Sequence, residues 1–284
     1  MKAPDFDYLR AESLDQALDL LAQHGEDARL LAGGQSLMAT LNLRLSAPTV
    51  LIDLNHVPNL AGITETETTI RIGAMTRHVA VERSPIIARY LPLIAAAMPH
   101  IAHAAIRNRG TIGGSLALAD PAAEMPACAL ALRAVLEIAG PNGRRRVAAA
   151  DFFRGLFETD LAPDEILVAI EYPKAPGGAR WGFQELARRH GDYAMVGLAA
   201  MVEGDPTFGA ARLAYFAVED RPVLAHSAAS KLVGRALDDA AIAAAEDALD
   251  ADLDPHGDLH ADAATKRHLA RVLTGRVLGD LRMV

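Results

Sequence analysis

Two glycine pairs in this sequence have the setting of anion-binding turns. The first, Leu31-Ala32-Gly33-Gly34-Gln35-Ser36-Leu37, joins an apolar stretch to a helical one. Glycine admits positive φ and lets a ligand approach the backbone closely. Consecutive N–H groups in such a turn form a nest for an anion, and a following helix N-terminus adds its dipole. Ser36 could add a hydroxyl donor. The second pair, Thr111-Ile112-Gly113-Gly114-Ser115, again reads as glycine-freed N–H groups flanked by hydroxyls. It leads into Asp120 and Glu124, whose carboxylates could reach the same pocket. Two neutral nests can pinch the diphosphate of a dinucleotide from both sides, although each pair alone could be no more than a tight turn. Neither loop has the lysine of a Walker A loop or the Gly-x-Gly-x-x-Gly of an ordinary dinucleotide fold.

A third segment, Arg188-Arg189-His190-Gly191-Asp192-Tyr193, reads either as a solvated charged face or as a loop presenting Tyr193 to a planar ligand. Tyr193 could equally be a core residue at the start of the following strand. The ten histidines show no metal-binding spacing. His100 and His103 read as exposed surface positions. Asp254, His256, Asp258 and His260 read as a polar loop before they read as a metal site. No His-Glu-x-x-His and no Gly-x-Ser-x-Gly occurs, so zinc hydrolysis and serine-nucleophile chemistry lack support. No residue stands out as a catalytic acid, base or nucleophile.

Composition narrows the field. Lys plus Arg is 28 and Asp plus Glu is 36, a net charge of −8, with no basic block to neutralise nucleic-acid phosphates. The single cysteine, Cys128, sits in an apolar helical stretch and reads as a buried thiol. One cysteine cannot form an internal disulfide or supply the thiolates of an iron–sulfur cluster. No apolar run is long enough to span a membrane, and the first ten residues lack a signal pattern, so a cytoplasmic protein is expected.

The positioning elements follow from periodicity. Ser13 caps a helix closed by Gly25, Ala28–Ala32 and Val50–Leu54 are short apolar strands, and a helix with Leu37, Met38, Leu41 and Leu45 on one face lies between them. This alternation predicts parallel pairing. Paired strands over 61–66 and 69–74 follow, then a helix capped by Thr76 and one over Pro85–Met98. A hairpin turns at Asn142-Gly143, and a strand covers Ile166–Tyr172. After a break at Pro173–Gly178 come strands at 181–186, 196–202 and 211–218, and two helices over about 239–249 and 261–278. The fold class is α+β, with domains expected at 1–175 and 176–284, the first divided into subdomains of about 1–56 and 57–175.

Ala32-Gly-Gly-Gln-Ser36 with Leu43-Arg44-Leu45 and Leu51-Ile52-Asp53-Leu54 resembles the first flavin motif of the FAD-binding medium subunits of molybdenum hydroxylases, the carbon monoxide dehydrogenase and xanthine dehydrogenase group. Ile106-Arg-Asn-Arg-Gly-Thr-Ile-Gly-Gly114 with Ala119-Asp-Pro121 resembles the second. Ala150–Phe153 to Pro173, Arg188–Gly197 and Asp258–Arg276 resemble further landmarks, so the likeness covers nearly the whole chain. It implies a two-subdomain FAD-binding domain of the vanillyl-alcohol-oxidase/PCMH type, then a smaller α+β domain of antiparallel sheet and helices.

By the resemblance, Leu31–Leu37 and Thr111, Gly113, Gly114 and Ser115 hold the FAD diphosphate, and Ile101 and Ala102 lie along the cofactor. Glu124, Leu167, Asp192 and Tyr193 lie near the flavin end. Ser115 and Glu124 stand where relatives commonly have Asn and Asp, Ala39 replaces a frequent Pro, and a Lys common near Gln184-Glu185 is missing. The implied partners are a large molybdopterin subunit and a small subunit with two [2Fe–2S] clusters, assembled as a dimer of heterotrimers. The implied role is electron transfer through FAD to an external acceptor. An assembly subunit that has lost FAD and a free-standing flavin oxidoreductase are the alternatives.

Overall fold

A computed structural model describes residues 2–205 and 207–282. The chain opens with a three-stranded parallel sheet: β1 (Asp7–Arg10), β2 (Ala28–Leu31) and β3 (Val50–Asp53), with β3 in the middle. A central parallel strand is covered on both faces, which is why Val50-Leu51-Ile52-Asp53 is buried throughout. The connecting helix Leu14–His24 begins where Ser13 accepts from the Gln16 N–H at 3.1 Å. It ends at Gly25, whose φ is +52°. The parallel pairing agrees with the alternation of elements. The next helix is shorter than expected, Leu37–Asn42, and Leu45 is 75% exposed rather than on its apolar face. Arg44, at φ +57°, turns the chain out of the helix.

A five-stranded antiparallel sheet follows. β4 (Ile63–Glu65) and β5 (Thr69–Gly73) form one side. β6 (Val135–Gly140) and β7 (Gly143–Ala148) form the other, joined at Gly143 with φ +98°. After a small ribbon of β8 (Phe153–Gly155) and β9 (Glu158–Thr159), β10 (Ile166–Pro173) fills the centre. Thr76 is not the cap of the next helix. Its Oγ1 donates to the Gly62 carbonyl at 3.1 Å and accepts from the Gly62 N–H at 2.9 Å, and the helix starts at His78. The Pro85–Met98 segment is two helices, Pro85–Tyr90 and Pro92–Ala97. Pro92 lacks the N–H to continue a helix but is well placed to begin one.

A four-stranded antiparallel sheet closes the chain: β11 (Arg180–Ala187), β12 (Ala194–Glu203), β13 (Ala210–Phe216) and β14 (Val223–Leu224). Both faces are covered. Ala199, Met201, Ala214 and Phe216 join the core that holds Leu93, Ile94 and the Glu124–Ala131 helix. Val196, Leu198, Ala200 and Val202, alternating with them, pack with Ala270, Leu273 and Val277 of the Ala263–Arg282 helix. Cys128 is fully buried. Among the described residues no helix is long and apolar enough to cross a membrane.

Candidate functional site

The fold brings the two glycine loops together. A β-carbon on Gly33 would lie 2.5 Å from the Arg109 carbonyl oxygen and 2.8 Å from the Gly110 α-carbon, and one on Gly114 would lie 3.7 Å from the Ala32 β-carbon. Gly34 adopts φ +72°, a conformation costly for other residues. Among the described residues the N–H groups of Gly33, Gly34, Gln35, Ser36 and Leu37 have no hydrogen-bond partner. The Gln35 side chain folds back to donate to the Gly33 carbonyl at 3.0 Å. The first loop therefore presents a run of N–H donors without partners among the described residues.

The loop at Thr111–Ser115 is built differently from the sequence expectation. Its N–H groups from Ile112 to Ser115 are not free. Ile112 donates to the Thr76 carbonyl (3.0 Å), Gly113 to that of Ala74 (2.9 Å) and Ser115 to that of Thr111 (3.1 Å), while Gly114 donates to Thr111 Oγ1 (3.0 Å). Gly113 is required for packing, since a β-carbon there would lie 2.7 Å from the Ala74 carbonyl oxygen. What this loop offers a ligand is hydroxyl donors. Thr111 Oγ1 accepts from Gly114 and keeps its own proton to donate. Ser115 makes no side-chain hydrogen bond among the described residues. The two loops together supply backbone donors on one side and hydroxyls on the other, a donor set that fits a diphosphate.

A polar clasp that sequence reading missed locks the loops. Buried Asp53, at the end of β3, accepts from the Tyr8 hydroxyl and from the Asn55 backbone N–H at 2.8 Å. Asn55 Nδ2 holds the Ala32 carbonyl at 3.0 Å, and its Oδ1 accepts from Arg77, which also donates to the Arg109 carbonyl. One asparagine and one arginine thus fix both loops. Burial, and then the nearby Arg109 charge, push the Arg77 pKa down. The signal available in the sequence was an acid inside the apolar strand V-L-I-D-L.

Ile101 and Ala102 form a turn held by Arg107. Ala102 has φ +43°, and Arg107 Nη1 donates to the carbonyls of Ile101 (3.0 Å) and Ala102 (3.1 Å) while its other nitrogens grip Glu82. The 188–193 loop lies on this turn: a β-carbon on Gly191 would be 2.8 Å from the Ala102 carbonyl oxygen. Asp192 Oδ1 accepts from the Tyr193 N–H at 3.0 Å. Tyr193 is 62% exposed, so the core reading of this residue fails. It borders a cleft of about 490 Å³ that Asp120, Ala217, Glu219, His256 and Lys266 also line.

Glu124 begins the helix beside this cleft. Burial, with the Glu185 carboxylate close by, pushes its pKa up to about 8. Leu167 lies in β10 opposite Ile138, with only 6% of its surface exposed. His100 is not the surface residue its sequence position suggests. Its Nδ1 lies 3.3 Å from Glu185 Oε1. In the 254–260 loop, Asp258 pairs with Lys266 at 2.7 Å and caps the His260 and Ala261 N–H groups. Among the described residues no group of His, Cys, Asp or Glu is arranged to hold a metal ion.

Residues 4–175 match the family model for the FAD binding domain in molybdopterin dehydrogenase. Residues 181–281 match that for the CO dehydrogenase flavoprotein C-terminal domain. The chain is 40% identical over 280 residues to the 6-hydroxypseudooxynicotine dehydrogenase complex subunit alpha of Paenarthrobacter nicotinovorans, covering 98% of this chain and 95% of that one. It is 39% identical over 279 residues to the carbon monoxide dehydrogenase medium chain of Hydrogenophaga pseudoflava, covering 98% and 97%. Among solved structures, a chain of quinoline 2-oxidoreductase from Pseudomonas putida 86 superposes with a TM-score of 0.94 at 40% identity, covering 100% of this chain and 99% of the other.

Proposed function

The chain belongs to the FAD-binding medium subunits of the molybdenum hydroxylases, and from that premise we propose that it carries electrons from an iron–sulfur partner to an external acceptor. The observation that supports this most directly is the run of unpartnered N–H groups at 33–37 beside the Ser115 hydroxyl, which makes no hydrogen bond among the described residues, and the Thr111 hydroxyl, which accepts from Gly114 and keeps its proton to donate. Leu31–Leu37 and Thr111–Ser115 would hold the FAD diphosphate. Ile101 and Ala102 would lie along the cofactor, and Glu124, Leu167, Asp192 and Tyr193 toward its flavin end. Bound FAD supplies the redox chemistry, accepting electrons singly and releasing them in pairs. The protein contributes binding, orientation and electrostatics. Arg77 and Asn55 keep the two loops at the spacing the diphosphate needs, and the Tyr193 ring covers the cleft mouth.

The single cysteine leaves this chain unable to hold [2Fe–2S] clusters, so they would sit on a small partner and the molybdopterin on a large one. The working unit is a dimer of heterotrimers in the cytoplasm. Purification of the chain with its co-expressed neighbours tests the whole reading. One FAD per chain, with two further polypeptides carrying iron and molybdenum, is the expected result. A flavin-free chain would mean an assembly subunit, and a flavin-loaded chain without partners a free-standing oxidoreductase.

A further inference from the structure

Behind the 188–193 loop lies a group of titratable side chains that diphosphate binding does not use. His100 Nδ1 stands 3.3 Å from Glu185 Oε1, and the Glu185 side chain is only 4% exposed. Glu185 Oε2 is buried with no hydrogen-bond partner among the described residues. Glu124 approaches from the head of its helix, within reach of the charges on Glu185, His100 and Asp120. Cys128, one turn further along that helix, and Tyr193 complete the surroundings. On the outer side, the exposed His190 ring meets the His100 ring edge-on at 5.8 Å, and Phe183 covers His100 at 5.1 Å. His190 therefore adjoins His100 at the exposed end, His100 contacts Glu185, and buried Glu124 feels the charges of both His100 and Glu185.

We infer that His100, Glu185 and Glu124 form a chain that stores protons and passes them between the His190 loop and the flavin cleft. This rests on the FAD reading above. Electrons arriving from an iron–sulfur cluster bring no protons, yet full reduction of the flavin requires two: FAD + 2 e⁻ + 2 H⁺ → FADH₂. Glu124 as the neutral acid can release one proton and become a carboxylate. Glu185 and His100 then return a proton to it from solvent. The negative charge of Glu185 opposes ionisation of Glu124. Burial holds Glu124 neutral at pH 7, with a pKa up to about 8, and the hydrogen bond to Glu185 raises the His100 pKa above its usual value. These are positioning and proton-holding residues, and none is assigned a bond to the substrate of the complex.

The test uses the FAD-loaded chain and its Glu124→Gln, Glu185→Gln and His100→Gln variants. Flavin content is measured first, and then the flavin midpoint potential as a function of pH. In the wild type the potential–pH line should bend near pH 8, where Glu124 titrates. Glu124→Gln should remove the bend. Glu185→Gln should move it to lower pH and return the His100 imidazole titration, read by NMR of histidine-labelled protein, to the ordinary range. A purely structural role would change flavin content or stability and leave the bend in place. Superimposable curves at full FAD occupancy, or a His100 titration unmoved by Glu185→Gln, would overturn the relay alone. A wild-type chain that binds no FAD would overturn the functional reading and the relay with it.

Discussion

Gly33 and Arg109 meet so closely that a β-carbon on the glycine would lie 2.5 Å from the arginine's carbonyl oxygen. The obstacle is backbone, which cannot swing aside as a flexible side chain would. Gly33→Ala should therefore push the two loops apart and misplace the free N–H groups. FAD affinity should fall by about tenfold to a hundredfold, or roughly 1.4–2.8 kcal/mol. The flavin content of purified variant and wild type, followed by titration with FAD, checks this. Wild-type affinity in Gly33→Ala would show that loop spacing does not set binding.

Gly113 calls for a different outcome. Its N–H is already bound to the Ala74 carbonyl, and its α-carbon is packed against β5's end. Gly113→Ala overpacks this junction, at a cost of about 1–3 kcal/mol of folding stability. Denaturant unfolding of the flavin-free protein measures it. A stability loss equal to that of Gly33→Ala in the flavin-free state would contradict the assignment of separate roles to the two loops.

The contrast between these glycines marks where the sequence could be read and where it could not. The first loop was legible because its donors depend only on local backbone: Gly33-Gly34, positive φ at Gly34, and a helix start. The loop around Gly113-Gly114 carries the same local pattern, but the N–H groups of Ile112 and Gly113 are claimed by the carbonyls of Thr76 and Ala74, far earlier in the chain. No local pattern reports such a partner. Most strands of the three main sheets were legible from short apolar runs and the Asn142-Gly143 turn, but the two-residue β14 carried no such signal. The break at Pro92 was missed, because the periodicity over 85–98 favours a single helix and outweighed the proline that begins the second one. Arg77, Asn55 and Glu185 act through contacts with residues distant in sequence, and only Asp53 in its apolar strand hinted at the first two.

His78 makes stability depend on pH. It is 4% exposed, lies under Gly110, and neither ring nitrogen makes a hydrogen bond of ordinary geometry among the described residues. Burial lowers its pKa from 6.5 to about 4. The unfolded chain therefore takes up this proton at higher pH than the folded one. The stability tied to the neutral ring is fully present above about pH 6.5 and is lost as pH falls toward 4. At about 1.4 kcal/mol per pKa unit, the loss approaches ~3 kcal/mol. His78→Leu should flatten the acid side of a stability–pH profile over this range. An unchanged acid limb in the variant would refute the assignment.

The chain alone should not oxidise an organic substrate. Its cysteine count leaves no means of holding an iron–sulfur cluster. Purified, flavin-loaded and free of molybdenum and iron, it should be reoxidised by artificial acceptors after chemical reduction, and show no substrate turnover. Adding the two partner polypeptides should restore turnover. Substrate oxidation by the metal-free single chain would remove the case for a heterotrimer.

Tyr193 is 62% exposed beside Asp120, and Gly191, at φ +76°, bends the loop that carries it against the Ala102 carbonyl. An exposed aromatic ring at a cleft mouth gains little from burial in the free chain. It would gain by stacking on a planar ligand, about 0.5–1.5 kcal/mol for an aromatic pair. Stacking on a flavin also quenches its fluorescence. Tyr193→Ala should therefore raise flavin emission several-fold and speed reaction with small acceptors in the isolated subunit, because the cleft loses its cover. Tyr193→Phe keeps the ring and loses only the hydroxyl near Asp120, so it should behave like wild type in emission. Bright emission in both variants would assign the effect to the hydroxyl. Unchanged emission in Tyr193→Ala at full FAD occupancy would place the ring away from the flavin and leave the cleft open for a partner or acceptor to fill.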